Sequence, residues 1–502
     1  MSSALVPALL ALPLAIPLLA GAVLVLLPAR LRWTSRVLAM VATGMVLAVG
    51  VVLVATTRDG GAVGQRVGDW PAGIAIMLAA DQFSALLVTV TAVLVLGGLL
   101  FAFATGDDAR RMFTPLVLVL SAGVYGAYLT GDLFNLFVFI EVMLVPSYVL
   151  VVLSGARRRL SAGGVYLTVS LLTSTMFLAG LGLIYGLAGT VNLGELAGAA
   201  SRSDALAVAT GVLLVAMGIK AAVVPVHTWL PRVYREVTPA VVVLFSGLLT
   251  KVGVYVIFRL YAVMYDGDPR WRWLLLTVAL VTLLVGAATS LGDRSIRGVL
   301  LYSMVSHIGF MLVGVGLFTE AGLTAGVFYL LQYVLVKAAL LMCAGAVQTT
   351  YGTDRLDRLG GLVSREPLLA TTFMVGALSL IGIPPLAGFV GKLALARGAF
   401  GDGQWWTGGL VVAGSLLTLL AMVHVWNQAF WGHDGELTWA EVEEGGTVSV
   451  TKIRRTLLAP AVGLASGGLV LGVAAQPVLA LAGVAAGNLL DPAGYVTAVM
   501  PR

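Results

Sequence analysis

Charge is what this sequence has least of: 11% of its 502 residues are Asp, Glu, Lys or Arg, against 59% hydrophobic. Soluble domains carry roughly a quarter charged residues, so a string of soluble domains is excluded, and a soluble enzyme or secreted disulfide scaffold with it. Cysteine is nearly absent. The single Cys343 has no second thiol and no nearby His to complete a metal site, and reads as a small core residue. There is no P-loop, no dinucleotide fingerprint after a strand, no cysteine spacing for an iron–sulfur cluster and no histidine pair for haem. No cofactor and no metal are expected, which sets aside an ATP-driven pump or a self-sufficient oxidoreductase. The net charge of +6 does not gather into a nucleic-acid-binding patch. Its longest basic block is Arg157-Arg158-Arg159, which suits a loop end at a membrane surface.

What the sequence has instead is apolar runs from end to end. With about twenty apolar residues per crossing, they predict an all-α polytopic membrane protein of about fourteen transmembrane helices. The centres fall near residues 15, 46, 94, 121, 143, 175, 216, 250, 282, 308, 335, 382, 420 and 468. The run from Met1 to Pro28 lacks a positive leader region and a cleavage-like site, so it reads as the first span. Spans seven and twelve carry helix breakers, Pro225-Val-His227-Thr-Trp-Leu-Pro231 and Gly382-Ile-Pro-Pro385-Leu-Ala-Gly388. Broken helices at membrane depth line cavities or pack against protein, which makes Pro225, His227 and Pro385 candidates for access or gating. Eighteen Lys and Arg fall in odd-numbered connections, seven in even-numbered connections and tails. This bias places the odd connections in the cytoplasm of a plasma-membrane protein with both termini outside.

Five cations remain: Arg259, near a helix end where it can snorkel, and Lys220, Lys251, Lys337 and Lys392 within helices. The chain has 25 Arg but only five Lys, so lysine marks positions where the chemistry of the cation matters. A desolvated Lys releases its proton; Arg effectively does not. Glu141 is the one acid at the centre of a span. His307, also mid-span, is able to relay a proton between its ring nitrogens, or to be satisfied by the Ser303 or Ser306 hydroxyl. The Ser and Thr residues of these spans, Ser174 and Ser303 among them, are able to supply contacts to an internal water file but read first as ordinary helix-packing groups. Spans four to eight and nine to thirteen form two five-helix units, each with an ionisable residue in its second helix and a broken fourth helix bearing a lysine. Five is odd, so the units are inverted repeats, as in secondary transporters. The division is helices one to three over 1–112, repeats over 113–265 and 266–432, and a cytoplasmic loop with helix fourteen over 433–502.

The stretch Pro225 to Pro231, the run Thr238-Pro-Ala-Val-Val-Val-Leu-Phe-Ser-Gly-Leu-Leu-Thr-Lys251, Ser306-His307-Ile-Gly and Gly382 to Lys392 together resemble the antiporter-like family shared by respiratory complex I and the multisubunit Mrp cation/proton antiporters. The resemblance implies two inverted half-channels, a helix-five Glu paired with a helix-seven Lys, and further lysines along a polar axis, roles that map onto Glu141, Lys220, Lys251, Lys337 and Lys392. It implies a secondary transporter subunit rather than an enzyme, with other membrane subunits as partners and protons and Na⁺ or another monovalent cation as cargo. Within the family the D-type Mrp subunits are most similar. Lys392, where the complex I M type has Glu, and an end near Arg502, too early for the extensions of the complex I L type and the Mrp A type, point that way; the N type stays open. Relatives often carry a His one turn before the helix-eleven Lys, where this chain has Gln332 and Tyr333, so His307 becomes the candidate substitute. Three readings result: an Mrp-type antiporter subunit, a proton-pumping subunit of complex I or a membrane hydrogenase, and a scaffold whose buried charges serve packing.

Overall fold

In hydrocarbon every backbone N–H and C=O must be satisfied within the protein, and a helix does this within one segment. The computed structural model, which describes residues 8–69, 76–153, 155–431 and 452–500, accordingly turns the apolar runs into helices. They are α1 Leu12–Leu26, α2 Arg32–Thr57, α3 Gln82–Thr105, α4 Phe113–Leu129, α5 Leu133–Val152, α6 Arg157–Ala188, α7 Asp204–Ala221 and α8 Pro239–Val263. There follow α9 Arg272–Leu291, α10 Ile296–Leu317, α11 Glu320–Tyr351, α12 Pro367–Ile381, α13 Ala387–Gly401, α14 Trp405–Val425, α15 Arg455–Val473 and α16 Ala475–Leu490. Among the described residues twelve helices are long and apolar enough to cross a membrane, and α4, α12 and α16 are shorter apolar helices. The chain is an all-α multi-pass membrane protein. Every expected centre lies in a helix except 382, which falls between α12 and α13. The loop at 433–451 and His433 lie outside the described residues.

Two features depart from the expected pattern. A short antiparallel hairpin, β1 Val63–Arg66 with β2 Met77–Ala80, pairs Val63 with Ala80 and Arg66 with Met77, and delivers Asp81 to the start of α3. There Asp81 accepts from the Ser84 backbone N–H at 3.0 Å while Ser84 Oγ accepts from the Asp81 N–H at 3.0 Å, a reciprocal N-terminal cap. Arg259, expected to snorkel, does not reach water. Its side chain is 3% exposed and grips the fully buried Asp81 in a two-pronged pair, Nη1 to Oδ2 at 2.7 Å and Nη2 to Oδ1 at 2.8 Å. Asp81, which follows the hairpin, and the ring of Tyr495, 4.1 Å from the guanidinium carbon, cover the guanidinium that the sequence leaves open.

Apolar residues surround every helix, so the sequence alone does not separate protein-facing from lipid-facing helices. The structure does. The most apolar stretches of α8 and α11 are wholly buried and that of α10 is 94% buried, whereas α1 and α6 bury 33%. Close approach of the central helices rests on small residues: a Cβ on Gly314 of α10 would lie 2.7 Å from Gly326 Cα of α11. α11 is the hub, packed against α3, α8, α10, α12, α13, α15 and α16.

Candidate functional site

The three most enclosed helices are those that carry Lys251, His307 and Lys337, and the break between α12 and α13 adds Lys392. Lys251 is 0% exposed and Lys337 1%; Lys220 and Lys392 are also buried. No lysine forms an ion pair with a carboxylate among the described residues. A charge at a helix centre costs ~2.5 to 3.5 kcal/mol on insertion scales, and here no counter-charge offsets it by contact.

Aromatic rings and hydroxyls surround these groups instead. Lys251 Nζ lies 4.5 Å above the Tyr333 ring and donates to Thr250 Oγ1 at 3.2 Å. Lys337 Nζ reaches the same ring at 5.8 Å and donates to Ser303 Oγ at 2.6 Å. His307 packs on Tyr333 with ring centroids 5.2 Å apart, and its Nδ1 hydrogen-bonds the Tyr329 hydroxyl. Lys392 Nζ sits 4.5 Å over the ring of Phe310, which in turn contacts His307, and donates to the Ile381 carbonyl at 3.0 Å. Lys251, Lys337, His307 and Lys392 thus form one contiguous chain through Tyr333, Tyr329 and Phe310. Along it His307 Nε2, Ser306 Oγ, Tyr333 OH and both amide atoms of Gln332 are buried without a hydrogen-bond partner among the described residues. Buried polar groups left in this way are where internal water sits.

The Glu141 end differs from expectation. Glu141 accepts a hydrogen bond from Ser174 Oγ of α6, and Lys220 Nζ has no hydrogen-bond partner among the described residues. They make no ion pair within 4.0 Å. The reason is placement: Glu141 is only half-buried, on a stripe of α5 with the exposed Val138 and Val145, whereas Lys220 faces inward from the last turn of α7. His227, at the turn Val226–Thr228, is buried with Nδ1 unpartnered among the described residues. Four residues make contacts that the sequence does not assign to them. Ser174 and Ser303, read as packing groups, bind the ionisable residues; Tyr329 and Tyr333 complete the chain. Their signal was spacing, since 329, 333 and 337 recur every four residues on one face of α11.

Both helix breaks take the same form. The chain leaves helix at Ala222 and Gly382, each left-handed and three residues ahead of Pro225 and Pro385. Val223 N–H returns to Gly218 O at 2.9 Å, and Ile383 N–H to Leu378 O at 3.0 Å; Val226 and Leu386 then bond back to Val223 and Ile383. Gly382 has φ +96, and a Cβ there would lie 3.1 Å from Lys392 Cδ. A left-handed non-glycine residue costs roughly 1–2 kcal/mol. Gly382→Ala is therefore expected to lower the thermal midpoint of the purified protein by straining the turn and displacing the Lys392 stem, while Ala222→Gly, which relieves a left-handed alanine, does not lower it. Equal midpoints for Gly382→Ala and the wild type would show that the turn tolerates a side chain at this position.

Known proteins share this architecture. Residues 130–418 match the family model described as NADH:quinone oxidoreductase/Mrp antiporter, transmembrane. The chain is 36% identical over 97% of its length, and 98% of the relative's, to a protein from Alkalihalophilus pseudofirmus named as the D-type subunit of an Na⁺/H⁺ antiporter. Among solved structures it is similar to a chain of the Mrp complex from Dietzia, with TM-score 0.92, 43% identity and coverage of 99% of this chain and 100% of that one. A chain of respiratory complex I from Thermus thermophilus matches with TM-score 0.79 and 25% identity, covering 96% of this chain and 100% of that one. With the matched model spanning more than half of its residues, the chain belongs to the NADH:quinone oxidoreductase/Mrp antiporter family, beside relatives named as D-type subunits of the Na⁺/H⁺ antiporter.

Proposed function

We propose that this antiporter-complex subunit carries protons in exchange for Na⁺ or another monovalent cation, along the buried axis Glu141, Lys220, Lys251, Lys337, His307 and Lys392. The observation that carries the reading is the contiguous lysine–histidine chain on α8, α10, α11 and α13, free of carboxylate contacts among the described residues and flanked by orphaned polar atoms. Two ammonium groups at 4.5 and 5.8 Å from one ring centroid lie no more than about 10 Å apart, where unit charges repel by at least ~1.6 kcal/mol at an effective dielectric of 20. A proton on Lys251 therefore disfavours one on Lys337, and the charge passes along rather than accumulating. His307, with Tyr329 on Nδ1 and Nε2 open to water, bridges towards Lys392. Beyond Lys392 a cavity of about 690 Å³ between the start of α11 and α13, lined by Glu320, Arg397 and Asp402, provides an exit. The entry is at His227 and the break after α7.

The identical turns after α7 and α12 support the two inverted repeats, 113–265 and 266–432, as half-channels. The exposed stripe beside Glu141 suits a neighbouring membrane subunit, and closing that face would change the Glu141–Lys220 separation, on which the Lys220 proton affinity depends. The likeness to complex I favours a second reading, in which a redox partner drives the same chain. The test is cation-dependent collapse of a pH gradient in vesicles holding the assembled complex. Na⁺ or K⁺ addition is expected to dissipate the gradient, and Tyr329→Phe to slow this several-fold at unchanged complex abundance. No response to any monovalent cation would remove the antiport reading; a normal rate for Tyr329→Phe would remove His307 and Tyr329 from the path.

A further inference from the structure

At the opposite end of the helices from the α11–α13 cavity lies a cleft of about 500 Å³, lined by Arg157, Arg158, Arg159, Arg235, Glu236 and Arg297. We propose that it binds a phosphate-bearing anion, the head group of an acidic phospholipid or free phosphate. Topology requires arginines only on the correct side of the membrane; it does not require three separate connections to converge on one cavity. Here they converge, with a single carboxylate, Glu236, on the lining.

The wall is built and held. Arg297, 4% exposed, donates through Nη1 to the carbonyls of Arg235 at 3.2 Å and Val237 at 3.1 Å, and through Nη2 to Gln348 Oε1. Arg235 is fixed by Asp293, and Arg159 Nε donates to the Glu236 carbonyl at 2.8 Å. The Nη groups of Arg159 and the whole guanidinium groups of Arg157 and Arg158 have no acceptor among the described residues. Two helices also start at the cleft without a side-chain cap, α6 after Ala156 and α8 after Thr238. Their positive dipole ends, and the first-turn N–H groups other than at Pro239, add to the field that an anion meets. α6, α8 and α10 begin here and α11 ends here, so the cleft opens at the membrane surface, where basic pockets between helices receive lipid head groups.

The experiment uses the purified, assembled complex in phosphatidylcholine nanodiscs, with phosphatidylglycerol added to the lipid or inorganic phosphate to the buffer, and reads the thermal midpoint and the lipid retained in native mass spectra. The wild-type complex is expected to be stabilised. Arg157→Gln with Arg158→Gln should require more anion for half-maximal effect, by roughly fivefold per arginine. Glu236→Gln, which removes the carboxylate on the lining, should require less. Stabilisation by phosphatidylglycerol alone assigns the site to a lipid head group; stabilisation by inorganic phosphate in phosphatidylcholine alone assigns it to the soluble ion. If wild type and the double variant respond equally to both anions, or neither anion acts on the wild type, the cleft is not an anion site.

Discussion

Asp81→Ala is expected to remove most of the assembled protein from the membrane. The Arg259 guanidinium would be left buried with its charge unopposed, and breaking a buried pair by deleting one partner costs about 3–5 kcal/mol. The lost cap on α3 adds about 0.5–2 kcal/mol. Tyr255 does not substitute for the carboxylate: its hydroxyl accepts from Arg259 Nε at 3.3 Å but already donates to the Tyr128 carbonyl at 2.8 Å. The pair also fixes geometry, since it joins the β1–β2 hairpin and α3 to α8, the helix that carries Lys251, and lies under Tyr495 of the short C-terminal helix Ala493–Val499. Complex abundance and the thermal midpoint in detergent measure the effect. Combining Asp81→Ala with Arg259→Met should recover part of the loss, because an apolar side chain of similar length leaves no charge to satisfy. Normal abundance of the single variant would show that Arg259 finds water or another acceptor.

This pair also marks where the sequence stops being informative. Length and hydropathy locate helices well, because hydrocarbon forces helix on any sufficiently long apolar run. The scarcity of lysine singles out Lys220, Lys251, Lys337 and Lys392 for the same reason that burial is expensive. Arg259 is misread because its neighbours in the chain place it near a helix end, while the residues that cover it come from positions around 81 and 495. No periodicity reports contacts of that range. α16 goes unseen for a local reason: Ala474 alone joins it to α15, so no polar loop separates the two helices. The breaks after α7 and α12 are legible from their prolines, yet the turn itself sits at Ala222 and Gly382. Glu141 and Lys220 are both legible as intramembrane charges, whereas their separation is not, since it depends on which faces of α5 and α7 turn inward.

Lys392 is the position at which a structural and a proton-carrying role come apart. Its Nζ donates to the carbonyl of Ile381, the last residue of α12, where helix breakage leaves a carbonyl without its intrahelical donor. A lysine needed only to satisfy that carbonyl and sit over Phe310 would be replaceable by arginine, which keeps the positive charge, offers five donors and stacks on aromatic rings. A lysine that carries protons must release one in each cycle, and Arg, with a pKa above about 12, holds its proton throughout. Lys392→Arg is therefore expected to assemble close to normally yet exchange about as poorly as Lys392→Ala, whereas Lys392→Ala should lose abundance as well. Lys220→Arg should follow the same order, and Lys251→Arg and Lys337→Arg should be milder where water bypasses one station. The assay is cation-driven dissipation of a pH gradient, normalised to the assembled complex. Near-normal exchange by an assembled Lys392→Arg complex would show that this ammonium never gives up its proton, leaving it a fixed positive charge that closes the broken helix and gates the passage by repulsion.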